Sequence, residues 1–212
     1  MLMTQPVDAI LAFHNAFRTD IKQIDAAARE LGRGNDDPAG TIERYRFLNE
    51  ILVWHADGEE RGVFPAVETV APLVAEAYEK DHRFLDAAYD ILDRSYVARD
   101  VLETARATAA FRFHLDIHLA KEDTHLYRIF QERIPLPEQG KALGIMAASV
   151  PRDRFPDVIA WMFPLIGHAD RANMTRIWQM VMPPEDFAVI RELIRKAVGS
   201  DWTELTRRIP SL

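Results

Sequence analysis

The chain has 212 residues, 48% of them hydrophobic, which is ordinary for a globular protein and enough for one large domain, or one domain with an extension, around a real core. Its 26 Lys+Arg against 33 Asp+Glu give a net charge of −7, and no basic stripe suggests nucleic acid as a partner. There is no cysteine, which removes disulfides, thiolate zinc sites and iron–sulfur clusters together, so any metal must be held by nitrogen and oxygen.

The opening stretch MLMTQPVDAILAF lacks a basic segment, a long apolar run and a small-residue cleavage site in succession. No run reaches the roughly 18 apolar residues of a membrane span. The expectation is a cytoplasmic protein with no membrane partner.

From Val7 to about Leu31, the residues Ile10, Leu11, Phe13, Phe17, Ile21 and Ile24 recur at helical spacing, and Gly32 and Gly34 end the pattern. His14 falls inside that stripe and should point inward. GRGNDDPAG reads as a linker, after which Ile42, Tyr45, Leu48, Ile51 and His55 mark one face of a second helix that Pro65 stops or kinks. Pro72 opens a third helix carrying Tyr78, His82, Leu85 and Leu92. Asp100 opens a fourth, running to about Arg133 before Pro135 and Pro137.

Four long amphipathic segments with polar connections predict an all-α fold over residues 1–135, an up-down-up-down four-helix bundle without strands. Residues 136–212 predict a helical C-terminal extension. In it Pro164 interrupts one apolar segment, and Pro183 to Asp186 forms a helix start with acids in the first turn. The Trp and Met content of the extension suggests packing onto the bundle or onto another subunit, the latter giving a homodimer through this segment.

The histidines are ordered: His14, then His55-x-x-x-Glu59, then His82, then His118-x-x-x-Glu122. A histidine and a glutamate four residues apart stand one helical turn apart on one face, so an imidazole nitrogen and a carboxylate reach the same small volume. In an up-down bundle the second and fourth helices run parallel, so both pairs would converge with His14 and His82. Any single pair reads better as a satisfied histidine beside a solvated glutamate. Four inward histidines and two inward glutamates without a metal would cost several kcal/mol for each unpaired carboxylate, and six ligands suit two metals.

This ordered set, with the tails EERGVFPAV and KEDTHLYRIF after the two pairs, resembles the hemerythrin-like (HHE cation-binding) proteins over residues 1 to about 135. The resemblance implies a non-haem centre of two iron ions, oxo- or hydroxo-bridged, with manganese or zinc as alternatives. By it, His14 and His55 would serve one iron, His82 and His118 the other, and Glu59 and Glu122 would bridge them. The oxygen-carrying members have a second histidine one turn after the helix-three ligand and an aspartate in place of the last glutamate; this chain has Asp86 and Glu122. That departure points away from a reversible O2 carrier and towards bacterial hemerythrin-like proteins and the iron-sensing domain of a eukaryotic F-box protein.

Two functions follow from the resemblance. One is a di-iron redox protein or enzyme that binds or reacts with O2, peroxide or nitric oxide, with Tyr45 or Tyr78 nearby. The other is a module that senses or stores iron or oxygen and signals through a partner protein. Bundle geometry adds an expected polar layer of Arg18, Asp86 and His114 that orients the ligands. His125 falls near the level of Tyr78 and reads as exposed, and His168 reads as structural.

Overall fold

A computed structural model describes residues 5–31, 33 and 38–212. In chain order its α-helices are α1 (Val7–Leu31), α2 (Pro38–Gly58), α3 (Phe64–Glu68), α4 (Val74–Val97), α5 (Val101–Lys121), α6 (Tyr127–Arg133), α7 (Leu136–Ala148), α8 (Phe155–Leu165), α9 (His168–Val181), α10 (Pro184–Val198) and α11 (Trp202–Arg208). No strand occurs among the described residues, and no described helix is long and apolar enough to cross a membrane.

The span of α1 is the one its apolar periodicity predicts, with Asp8 in the first turn and Arg29 in the last complementing the helix dipole. Gly32 and linker residues 34–37 lie outside the described residues. The PAG end of that linker is already helical: α2 opens on Pro38, whose fixed φ suits a first helical position. α4 starts two residues after Pro72, because Leu73 takes a left-handed conformation with φ 70°. The Glu68 carboxylate there accepts from the backbone N–H groups of Leu73 and Ala75, both at 2.8 Å, an anion at the positive end of a helix. α5 starts where expected, Asp100 accepting from the Glu103 N–H at 3.0 Å.

Contacts divide the chain into two compact units, Asp20–Ser149 and Met1–Thr19 with Val150–Leu212. In the first, α4 and α5 pack antiparallel. Ser95 bonds Thr104 at one end, Phe84 meets His114 in the middle, and Tyr78 reaches His125 at the other. α2 runs antiparallel to α4, with Arg46 on Asp93 at 3.0 Å and Tyr45 stacked on Tyr89. Two buried aspartates of α1 are each paired: Asp20 with Arg44 of α2 at 2.6 Å and Asp25 with Arg112 of α5 at 2.7 Å. Leu48, Phe111, Leu115, Leu126 and Phe130 fill the core between these helices.

α7, within the expected C-terminal extension, also belongs to this unit. It lies so close that a Cβ built on Gly58 would stand 2.6 Å from Met146 Cγ, and one on Gly62 2.5 Å from the Ala142 carbonyl oxygen. Two glycines on the partner segment make that approach possible, and no pattern within α7 itself announces it.

The second unit gathers α8 to α11 with the first turns of α1. Its core holds Ile159, Met162, Phe163, Trp178, Ile194 and Leu205. Phe17 packs on Trp161 with ring centroids 5.4 Å apart. Pro164 falls near the end of α8 and α10 opens on Pro184, as expected. Arg171 is buried and used in full: its Nε donates to the Phe163 carbonyl at 2.7 Å and a terminal nitrogen to Asp201 at 2.6 Å. His168 is exposed at the first position of α9.

Candidate metal centre

Each His-x-x-x-Glu pair ends in an irregular turn that apolar periodicity does not reveal. Glu59–Val63, between α2 and α3, and Glu122–Leu126, between α5 and α6, are π-helical. In each the residue five beyond the glutamate closes the wide turn: the Phe64 N–H donates to the Glu59 carbonyl, and the Tyr127 N–H to the Glu122 carbonyl. Such turns are rare and concentrate at functional sites. Here both begin on the proposed bridging residues, so the internal repeat extends into the backbone.

Five of the six singled-out residues come together in the Asp20–Ser149 unit, and all five are buried. His55 Nε2 stands 3.3 Å from Glu59 Oε1, and Glu59 Oε2 stands 3.3 Å from His82 Nε2. His82 Nε2 lies 3.8 Å and His118 Nε2 3.2 Å from Glu122 Oε1. One ligand-type atom from each of Glu59, His82, His118 and Glu122 fits within a sphere in which all such atoms are within 4.8 Å of one another. His14 is fully buried on the part of α1 that belongs to the other unit.

The histidines aim Nε2 inward; the outer nitrogen of His82 meets a carboxylate that spacing does not flag, and a second carboxylate stands near that of His118 beyond hydrogen-bond distance. Glu60 accepts or shares the His82 Nδ1 proton at 2.9 Å, and Asp81 lies 3.7 Å from His118 Nδ1. A carboxylate behind an imidazole fixes its tautomer and ring orientation and raises its basicity. Glu60 follows Glu59 and Asp81 precedes His82, so each is adjacent in sequence to a site residue. As charged residues on amphipathic helices, both read as solvated until the neighbouring helix is in place.

A third missed residue is Tyr127, whose buried hydroxyl donates to Glu59 Oε1. At the corresponding place of the first copy, the Phe64 ring stacks on His82 with centroids 5.5 Å apart. The signal was available: an aromatic residue stands five beyond each glutamate.

Electrostatics separate the two glutamates. Burial would raise both, but at Glu59 the charge and hydrogen bond of His55, with those of His82, win and hold the carboxyl well below the usual range. At Glu122 burial and then the Glu59 charge push it well above. Burial opposes the charge on His82, yet Glu122 and Glu59 push its imidazole up to about 11. Burial and the two carboxylates raise the Tyr127 hydroxyl as well, keeping it a proton donor.

The expected Arg18, Asp86 and His114 layer does not form between the latter two. Asp86 is exposed, and His114 packs edge-on against Phe84 at 4.5 Å and against Phe113 at 5.5 Å, with no hydrogen bond to Asp86. Asp86 instead borders a cavity of ≈ 30 Å³ beside His55, His82 and His118, which Leu52, Leu85 and Phe111 line. That is room for about two water-sized molecules. Tyr78 is buried and bonds exposed His125 at 2.9 Å, so the expected neighbourhood of these two holds.

Whether these residues suit a metal is tested by their unsatisfied atoms. Glu59 Oε2 and His82 Nε2 are buried with no hydrogen-bond partner of good geometry, although both aim at the cluster. Orphaned buried polar atoms are costly unless something ligates them. Imidazole nitrogen and carboxylate oxygen, with no sulfur, form the donor set that iron, manganese or zinc accepts. The donors fit.

Among the described residues the fold is helical, and its buried cluster of histidines and carboxylates around a shared centre could hold a metal ion. Comparison with known families agrees: residues 5–87 match the Hemerythrin HHE cation binding domain. It is similar to two proteins of Arabidopsis thaliana. One is Zinc finger protein BRUTUS, 25% identical over 191 residues that cover 85% of this chain and 15% of that protein. The other is Zinc finger protein BRUTUS-like At1g18910, 21% identical over 197 residues that cover 87% of this chain and 16% of that protein. The chain thus spans about a sixth of the length of the curated relatives it matches. No solved structure matches it.

Proposed function

We propose that this chain is a hemerythrin-like non-haem di-iron protein that binds or reacts with O2, peroxide or nitric oxide. In this reading α1, α2, α4 and α5 with its continuation α6 form the up-down bundle. His14, His55, His82 and His118 supply imidazole, and Glu59 and Glu122 bridge. The observation that carries the reading is the buried quartet Glu59, His82, His118 and Glu122, converging without other partners for Glu59 Oε2 and His82 Nε2. His14 enters through the family pattern and its complete burial on α1.

Bound iron would supply one-electron steps and open positions for a small ligand. The chain's own residues set the conditions. Glu60 orients His82 from behind. Tyr127 keeps a proton on its oxygen and holds Glu59 in place through it. The small cavity bounded by Leu52, Leu85 and Phe111 has room for a molecule of diatomic size beside the imidazoles.

Metal content of protein from iron-supplemented cells, with its ultraviolet-visible spectrum before and after reduction and air exposure, tests the reading. Two irons per chain with near-ultraviolet bands are expected. Glu59→Ala and Glu122→Ala should each lose at least one metal, and retention of two in both variants would remove these residues from the ligand set.

A second reading has one observation of its own. The relatives are about six times longer than the matched segment, so a domain of this kind also occurs as a small part of larger chains. In this reading metal loading stabilises the folded state by mass action and signals to a partner. Rapid peroxide or nitric oxide turnover by iron-loaded protein favours the first reading. Slow or absent turnover, with a metal-dependent change in hydrogen exchange across α8 to α11, favours the second.

A further inference from the structure

The surface of α5 departs from what a helix with one buried face requires. Its inner face carries Thr104, Phe111, Leu115, His118 and Leu119, all buried. Its outer face is nearly as apolar: Leu102 and Phe113 are each 61% exposed, Ile117 is 44% exposed, and Ala109, Ala110 and Ala120 are exposed beside them. On the adjoining edge of α4, Phe84 is 54% and Ile91 48% exposed, and the ring contacts from Phe84 through His114 to Phe113 make the patch continuous. A helix that is apolar all round belongs in an interior, and a contiguous exposed patch of this kind marks an interaction surface.

We propose that this face is the interface for a second copy of the chain, with α5 packed antiparallel on α5 of the other copy about a two-fold axis. The argument rests on self-complementarity. Along the outer face, Leu102, Arg106, Ala109, Phe113, Asp116 and Ala120 follow one another at steps of four, three, four, three and four residues, the spacing of a helix–helix seam. Reversing that seam upon itself sets Leu102 against Ala120, Ala109 against Phe113, and Arg106 against Asp116 of the second copy. Large residues meet small ones, and the one cation of the seam meets its one anion.

The charges are placed for this. Arg106 is exposed and has no ion-pair partner among the described residues. Asp116 lies at the flank with only the 3.5 Å contact of Arg112, and its side chain is 35% exposed. A two-fold interface is isologous, so each pairing occurs twice. In size, a 21-residue helix is about 31 Å long and with α4 beside it presents a face roughly 20 Å wide. The footprint of about 600 Å² per copy sits at the lower end of what specific dimers bury.

Sedimentation velocity on the full chain at micromolar concentrations tests this. The wild type should run as a dimer and Phe113→Asp as a folded monomer, since that side chain is mostly exposed and its replacement leaves the core intact. Arg106→Asp and Asp116→Arg should each weaken the dimer roughly tenfold or more by setting like charges together, and the double variant should recover it. That recovery distinguishes a direct contact from a general loss of stability, and matching melting temperatures across the set confirm folding. A monomeric wild type would overturn the proposal, whether the face then serves a different protein or none. So would a dimer that Phe113→Asp and both single charge changes leave unaltered, which would put the interface elsewhere, for instance on α8 to α11.

Discussion

Tyr127, five residues beyond Glu122, donates its hydroxyl proton to Glu59, the glutamate of the other His-x-x-x-Glu pair. Phe64, five residues beyond Glu59, has no hydroxyl to return the favour and stacks on His82 instead. The pseudo-symmetry of the repeat is therefore broken by one oxygen atom. Tyr127→Phe should leave Glu59, a fully buried carboxylate, short of a charge-assisted hydrogen bond and destabilise the metal-free protein by about 1.5–3 kcal/mol. Denaturant unfolding of the metal-free wild type and variant measures it; equal midpoints would mean that this bond carries no net energy.

The same comparison shows what sequence reasoning could and could not reach. Helix α1, the Asp100 start and both His-x-x-x-Glu pairs were legible because each depends on local periodicity or a local cap. The π turns were not, because a register of five instead of four residues leaves the apolar pattern of one turn almost unchanged. Glu60 bonds an imidazole of a different helix, a relationship no spacing encodes. His114 was expected to seek Asp86, yet two neighbouring phenylalanines offered apolar contact first.

The approach of α7 predicts opposite outcomes for two glycine substitutions. A Cβ on Gly62 would meet the Ala142 carbonyl oxygen at 2.5 Å and Ile145 Cβ at 3.2 Å, so Gly62→Ala must push α7 away and should cost about 1–3 kcal/mol. Gly144, inside α7, has nothing within 4 Å of its would-be Cβ, and Gly144→Ala should stabilise by roughly 0.5–1 kcal/mol through helix propensity and lost freedom of the unfolded chain. Thermal melts of the two variants should move in opposite directions. A neutral Gly62→Ala would contradict the packing of α7 on the π turn.

Tyr45 offers a case in which removing an oxygen should do no harm. Its ring is completely buried, stacked on Tyr89 and edge-on to Phe111, while its hydroxyl has no hydrogen-bond partner. Burial, with the neighbouring tyrosines and aspartates, raises that hydroxyl far above its usual pKa, so it is never ionised. Tyr45→Phe keeps the ring and deletes an unsatisfied polar atom, and should be neutral or stabilising by up to about 1 kcal/mol. Destabilisation by more than that in denaturant unfolding would show that the hydroxyl is solvated or bonded in solution.

The α8 to α11 unit carries its own pH signature. Asp201 is held below the ordinary carboxylate range chiefly by its hydrogen bond from Arg171, which is otherwise buried against the carbonyls that end α8. A carboxylate with a depressed folded pKa contributes stability that is present above its unfolded value, near 3.9, and is lost as pH falls through the folded value. Asp201→Asn should therefore lower the stability of this unit at neutral pH and make no difference in strong acid, where Asp201 is protonated in both states. Melting curves of wild type and variant from neutral to strongly acidic pH should converge as pH falls. A gap that stays constant down to the lowest pH would assign the effect of the substitution to something other than the charge on Asp201.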